Sequence, residues 1–398
     1  MSRFTRPPAA GQTRSRARGG TGESPWPDRV RLVGAPVPAG ESGATLTLDL
    51  TDARVRPQDV IKSEETWLRQ LGADTIAWEP IDTRTLKAHV YLTHPLARVI
   101  DWRELAPVQG VKDHAPMGVT AIPGQQATFW WRGSQLVTGA SGSGKTMTLR
   151  SMLRGLVVQQ VPVRVTLADN KGDFVDWSTS LGVDQYARDH GDCVDLVDHF
   201  GDRMDQRYAD RESWPIEDYA LTPRPWEPLE VLIVGEGLTL LGRGTQAQQR
   251  TATRRVKEVA QTGREAACVL WLVTQTSTKD ESAALAAVRD FFPGRILHRV
   301  PNASMITPAL GVGADAGAAA HRIPMALEGV GYYLDPLTGW PVMFRGAYLP
   351  RSEQAHLSAQ LGLTYSQDLV RQHEYDRALR LGADPDRTAW SANRGGTP

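Results

Sequence analysis

The chain has 398 residues, with 45 Lys+Arg against 45 Asp+Glu and 41% apolar residues. That length exceeds what one small core organises, and the composition excludes a disordered or fibrous chain. The even charge excludes a globally basic nucleic-acid coat while leaving local basic stripes open.

Only Cys193 and Cys268 occur, far apart and outside any C-x-x-C, so a disulfide framework is not expected and a cytoplasmic setting is. No apolar run reaches the roughly 20 residues that span a bilayer, so no intrinsic membrane span is expected. Any membrane association would come through partners.

Residues 1–27 are rich in Arg, Gly, Pro and Ser without apolar periodicity, and read as a disordered basic arm. Residues 28–105 read as a small α+β domain. In it, TLTLDL alternates at Leu46, Leu48 and Leu50 as a half-buried strand does. PQDVIKSEETWLRQLG sets Ile61, Trp67, Leu68 and Leu71 at helical spacing before a capping Gly72, and KAHVYLTHP reads as a further strand.

The main domain is expected over 106–350. Ser134 to Thr138 is a short apolar strand, followed by GASGSGKT and then by Leu149, Met152, Leu153 and Leu156 at i, i+3, i+4 and i+7 of a helix. VPVRVTLAD, LEVLIV, CVLWLVTQ and GRILHRV follow as strands between helical stretches, the pattern of a mainly parallel sheet. SEQAHLSAQLG and SQDLVRQHEYDRALRLG read as helices of a short C-terminal segment, 351–398, that ends in a loose tail.

The glycine loop carries the chemistry. Gly139, Gly144, Lys145 and Thr146 occupy the fixed places of G-x-x-x-x-G-K-[ST], with a strand before and a helix after. The candidate phosphate cradle is Gly139, Ala140, Ser141, Gly142, Ser143, Gly144, Lys145, Thr146 and Met147. Its backbone N–H groups and the helix dipole face phosphate oxygens; Lys145 reaches the β- and γ-phosphates, and the Thr146 hydroxyl is placed for Mg²⁺.

LEVLIV is followed by Gly235-Glu236. Glu236 is a candidate base that orients the attacking water, but a carboxylate for Mg²⁺ is missing at 235. Either Thr146 and the phosphates suffice, or Asp169 at the end of another strand assists. Gln275, at the end of CVLWLVTQ, is a candidate sensor of the γ-phosphate.

Arg250, Arg254, Arg255 and Lys257 read as a solvated helix face, with DNA or subunit contact as the alternative. His190, Cys193 and His199 fit no usual zinc spacing.

In order, VTGASGSGKT, LADNKGDFVDW, HFGDRMDQRY, VLIVGEG, QTGREAACVLWLVTQT, PGRILHRV and LGVGADAGAAAHRIP resemble the motor domain of the FtsK/SpoIIIE family of hexameric double-stranded DNA translocases. The resemblance covers residues 110–345. GAAAHRIP, GVGYYL and the leading α+β unit are most similar to actinobacterial plasmid-transfer (TraB-like) and mobile-element versions.

It implies a RecA-like P-loop NTPase using ATP and Mg²⁺, assembled as a homo-hexamer, that moves double-stranded DNA during conjugative transfer beside membrane-bound partners. It also implies an arginine acting on the neighbouring subunit's site, with Arg264, Arg295 and Arg299 as candidates. Two departures from the family are the lack of membrane segments and of a C-terminal winged helix. Two other readings stay open: a nucleotide-binding assembly protein with little turnover, marked by Gly235, and a secretion-type ATPase that moves protein.

Overall fold

The computed structural model describes residues 30–40, 42–50, 55–111, 113–177, 183–213, 223–275, 281–311 and 317–382. The basic arm and the C-terminal tail lie outside these residues. The chain divides into two compact units. The smaller takes the residues up to Arg98 together with Thr120–Gln125 and Ala316–Ala318, and the larger takes the rest.

The smaller unit is an antiparallel sheet of β1 (Arg31–Leu32), β2 (Val37–Pro38), β3 (Gly43–Asp49), β4 (Thr75–Pro80) and β5 (Thr85–Tyr91), in the order β1-β3-β5-β4 with β2 on β3. The alternation of β3 buries Ala44, Leu46 and Leu48, one face of a two-residue period. The helical stretch breaks in two at Lys62–Ser63, giving α1 (Pro57–Ile61) and α2 (Glu64–Leu71), and α2 stops at left-handed Gly72. Trp67 of α2 meets Trp78 of β4 edge-on at 6.2 Å, and the Trp78 indole N–H donates to Glu64 at 2.6 Å.

Among the described residues the larger unit carries ten strands: β6 (His114–Thr120), β7 (Gln126–Trp130), β8 (Gln135–Thr138), β9 (Val163–Ala168), β10 (Val183–Ala187), β11 (Leu229–Val234), β12 (Cys268–Thr274), β13 (Gly294–His298), β14 (Val330–Leu334) and β15 (Pro341–Gly346). Their order is β10-β9-β11-β12-β8-β13-β14-β15-β6-β7. From β10 to β13 all pairs are parallel, and β13–β14, β14–β15 and β6–β7 are antiparallel. The glycine loop therefore leaves the carboxyl end of a central strand, with β12 on one side and β13 on the other. Order reverses there, and parallel α/β sheets bind ligands at such points.

Strands buried on both faces read as continuous apolar runs, as in LEVLIV and CVLWLVT, every residue of which is buried. Onto them pack α3 (Lys145–Val158), α4 (His190–Ser213), α5 (Gly237–Gly242), α6 (Gln246–Thr262) and α7 (Glu281–Arg289). Leu232, Val234, Leu270 and Leu272 share one cluster with Phe200 and Met204 of α4 and Val256 and Val259 of α6. α8 (Ile306–Leu310) lies between β13 and β14, and after β15 the described residues include α9 (Gln354–Gly362) and α10 (Gln367–Arg380), the two expected C-terminal helices.

Two features depart from the sequence reading. Glu230, the second residue of the run LEVLIV, is fully buried and paired with Arg164 (2.6 Å), Arg207 (2.9 Å) and Arg203 (3.4 Å). Burial alone would raise its pKa, but the three guanidinium groups outweigh this and hold it at about 2. The same network anchors α10 through Arg164–Glu374 (2.5 Å), Arg377–Asp210 (3.1 Å) and Arg377–Glu227.

The second departure is Arg255, which is not on a solvated face. It is buried and fans onto Asp198 (2.7 Å), Asp205 (2.8 Å), Asp202 and Glu258 (3.2 Å). Arg254 joins Asp198, and Lys257 lies over the Phe291 ring at 4.8 Å. The basic cluster of α6 is thus largely occupied by its own chain, chiefly by the acids of α4.

Candidate nucleotide site

The glycine loop is clamped from two sides and closed by one bond of its own. The Ala140 N–H donates to the Arg299 carbonyl at 2.8 Å, and the Gly329 N–H donates to the Ser143 carbonyl at 3.1 Å. The Ser143 hydroxyl closes the loop on the Ala140 carbonyl at 2.8 Å. Gly144 starts α3 at φ 101, and a Cβ there would lie 2.6 Å from the Gly329 Cα. Both the left-handed backbone and the close approach require glycine.

Beneath the loop, His298 is fully buried between Val330 and Thr148. Its Nδ1–H donates to the Val330 carbonyl at 3.1 Å, so Nε2 accepts from the Thr148 hydroxyl at 3.0 Å. Burial pushes its pKa down to about 4, which keeps the ring neutral and the relay intact at ordinary pH. The sequence reading assigned His298 no role; the signal was a polar residue at the last buried place of an apolar strand.

Lys145 is buried and folds back on its own loop, its Nζ donating to the Gly139 and Ala140 carbonyls at 2.8 Å each. Desolvation, then the nearby charge of Lys171, pushes its pKa down to about 8. Such a desolvated ammonium is poised to gain from an anion. Thr146 is half-buried in the first turn of α3, directly after Lys145.

Glu236 follows β11 at the same sheet edge and is 9% exposed. Burial raises its pKa, opposed by hydrogen bonds from the backbone and side chain of Gln275 and by the charges of Lys171 and Lys145. Among the described residues its Oε1 has no hydrogen-bond partner. A buried carboxylate with one unsatisfied oxygen next to a desolvated lysine is the costly arrangement that functional sites retain. Gln275, placed by the end of β12, bonds Glu236.

Asp169 is fully buried. Its Oδ1 accepts the N–H groups of Gly172 and Asp173 at 3.0 Å each, and its Oδ2 accepts the N–H of Phe174 at 2.8 Å and the Tyr186 hydroxyl at 3.3 Å. It is the scaffold of its own turn. This also accounts for Gly235, where a Cβ would lie 2.9 Å from Asp169 Oδ1. The space that a side chain at 235 needs is filled by the neighbouring strand's carboxylate.

The three candidate arginines lie in different places. Arg299 follows β13 at the loop's edge, and its charge is among those that depress Lys145. Arg264 precedes β12, at the opposite edge of the sheet, exposed and 5.6 Å over the Trp130 ring. Arg295 bonds the Phe292 (3.3 Å) and Arg289 (3.2 Å) carbonyls and Asp290 (3.4 Å), closing the end of α7.

Among the described residues no group of three or more His, Cys, Asp and Glu is arranged to hold a metal ion. Cys193 and Cys268 are buried free thiols. No helix among these residues is long and apolar enough to cross a membrane.

These elements define a RecA-like P-loop fold, with the glycine loop on a central parallel strand and Gln275 and Glu236 at the ends of the next two. The pCW3 conjugation coupling protein TcpA, solved in its monomer form with ATPγS, shares it: TM-score 0.55, 14% identity, 84% of this chain and 93% of that one. The cytoplasmic domain of the Thermomonospora curvata type VII secretion ATPase EccC aligns with TM-score 0.49 and 19% identity, over 68% of this chain and 33% of that one. No protein-family model and no curated protein matches the chain.

Proposed function

We propose that this chain is an ATP-hydrolysing motor of a DNA-transfer apparatus and that it moves double-stranded DNA as a hexameric ring. The observation that carries the reading is the convergence at one sheet edge of a clamped P-loop, a desolvated Lys145 and the unsatisfied Oε1 of Glu236. The order of motifs resembling FtsK/SpoIIIE motors, and a fold shared with a conjugation coupling protein, support the choice of polymer.

When the triphosphate enters, Lys145 leaves the Gly139 and Ala140 carbonyls for the terminal phosphates. The loop N–H groups and the start of α3 hold the remaining oxygens. Mg²⁺ on the Thr146 hydroxyl would neutralise phosphate charge, and Asp169 stays with its turn. Glu236 Oε1 takes the proton of the attacking water; Gln275 fixes the carboxylate's direction and burial lifts its basicity.

Arg299 acts within the subunit. Arg264, exposed on the far edge, serves the neighbour's site in the ring, where it stabilises charge on the transferred phosphoryl group. DNA is gripped through its phosphates. Membrane-bound transfer proteins are the partners.

A second reading rests on Gly235: with no carboxylate there and Asp169 engaged, nucleotide would switch assembly with little turnover. ATPase assays with linear duplex separate the readings. The motor predicts turnover that rises with duplex and is lost in Lys145→Ala and Glu236→Gln, with Glu236→Gln still binding ATP. Binding without turnover in the wild type favours the switch, and turnover indifferent to DNA favours a protein-moving ATPase.

A further inference from the structure

Lys171 is a charged side chain at the carboxyl edge of the sheet to which the mechanism above gives no task. Strands β9 and β11 run parallel with Ala168 beside Val234, so Lys171 and Glu236 leave the same end of neighbouring strands. The Gly235 N–H donates to the Ala168 carbonyl at 2.9 Å and holds the two exits together.

The lysine stands on a fixed backbone. Fully buried Asp169 accepts the N–H groups of Gly172 and Asp173 at 3.0 Å each and that of Phe174 at 2.8 Å, and the turn closes through left-handed Gly172 at φ 80. The Lys171 side chain is 40% exposed, and its Nζ pairs at 3.2 Å with Asp173, which is 35% exposed. Exposed pairs of this kind contribute little and yield to a stronger anion.

Two ammonium groups therefore share one edge. Desolvation is the leading cause of the pKa shifts of both Lys145 and Glu236, and of the charges acting on either group that of Lys171 is the largest. In the empty site Lys145 and Lys171 repel; a polyanion between them turns that repulsion into attraction to itself.

We propose that Lys171 is a second cation for the terminal phosphate of the nucleotide in the glycine loop, and that it leaves Asp173 when a triphosphate enters. The proposal rests on the nucleotide reading of the loop. Its place beside Glu236 selects the phosphate: Glu236 serves the water that attacks the γ-phosphorus, so a cation at the same strand end meets γ oxygens. Asp169 is engaged by backbone N–H groups and position 235 carries no side chain, so neither neutralises the lysine. Lys171 stays protonated throughout and transfers no proton; it adds positive charge beside the transferred phosphoryl group. A diphosphate leaves it paired with Asp173.

The experiment is fluorescence titration of the intact protein with ATPγS and with ADP, for wild type, Lys171→Ala, Lys171→Arg, Asp173→Asn and Lys145→Ala. A hydrogen bond between charged groups changes affinity by roughly 10- to 100-fold. Lys171→Ala should weaken ATPγS by that factor and leave ADP at its wild-type affinity, while Lys171→Arg recovers most of the loss. Asp173→Asn frees the lysine and should bind ATPγS at least as tightly as wild type. A lysine that merely braces its turn through the ion pair predicts the opposite, with Asp173→Asn losing as much as Lys171→Ala.

Both side chains are exposed, so unchanged melting curves are expected, and the arginine variant keeps the comparison informative where alanine unfolds the turn. Equal losses for ATPγS and ADP in Lys171→Ala, wild-type ATPγS affinity in that variant, or a matching loss in Asp173→Asn overturns the assignment while leaving the loop's role intact. Failure of the wild type to bind either nucleotide, or unchanged binding in Lys145→Ala, overturns the loop reading itself.

Discussion

Placing an aspartate at Gly235 would supply the carboxylate that many P-loop ATPases carry there, and a gain in rate is the natural expectation from sequence. The structure predicts a loss. A Cβ at 235 would sit 2.9 Å from Asp169 Oδ1, in a site where Asp169 is fully buried and accepts three backbone N–H groups. Overpacking of this kind costs about 1–3 kcal/mol, which Gly235→Ala should show alone. A second carboxylate about 4 Å from the first, at an effective dielectric of about 20, adds repulsion of about 4 kcal/mol, limited by proton uptake by the pair.

Urea denaturation at pH 7.5 should therefore show Gly235→Asp destabilised by about 3 kcal/mol or more. The new carboxyl's folded pKa is raised, so its penalty is present above the ordinary carboxylate range and is relieved as pH falls. The gap between the Asp and Ala variants should narrow towards pH 5. Asp169→Asn combined with Gly235→Asp should recover part of the charge penalty while losing the anchoring of the 169–174 turn. A Gly235→Asp protein as stable as wild type and faster in ATP turnover would refute this account of the site.

Lys145 makes nucleotide affinity pH-dependent. Its free pKa of about 8 rises when an anion binds, so binding takes up a proton above pH 8, and apparent ATP affinity should fall about tenfold per pH unit there by fluorescence titration. His298 is held neutral with a pKa of about 4, below its unfolded value of 6.5, so the unfolded chain binds the extra proton between these values. Stability should fall as pH drops from 6.5 to 4, by about 3 kcal/mol from this group, and calorimetric melts of His298→Asn should lack that component. Glu230→Gln removes the one carboxylate shared by Arg164, Arg203 and Arg207, which keep Glu374, Asp184 and Glu227, and should cost about 2–3 kcal/mol in urea denaturation, with α10 becoming more susceptible to limited proteolysis.

The parallel half of the large sheet was readable because buried parallel strands are continuous apolar runs; LEVLIV and CVLWLVT leave little alternative to strands. The glycine loop was readable for another reason, since four fixed residue types between a strand and a helix specify one backbone path. Strand β6 was missed because Pro116 and Gly118 suggest a loop, and both lie at its register shift. Strand β10, VDQYA, is a polar edge strand with no strong period.

What sequence could not convey at the site was tertiary. Gly235 is explained by a carboxylate 66 positions away, by number, on the adjacent strand. Arg255 looks solvated until Asp198, Asp202 and Asp205 are brought against it by the packing of α4 on α6. Clamping of the glycine loop by Arg299 and Gly329 is backbone hydrogen bonding that no side-chain pattern announces.

The central claim is that nucleotide turnover at this loop drives movement along duplex DNA. Its most direct measurement is displacement of a third strand annealed to a linear duplex by the purified protein and ATP. The account predicts displacement that requires ATP and is absent in both Lys145→Ala and Glu236→Gln. Turnover without displacement, at a rate unchanged by duplex, would contradict it.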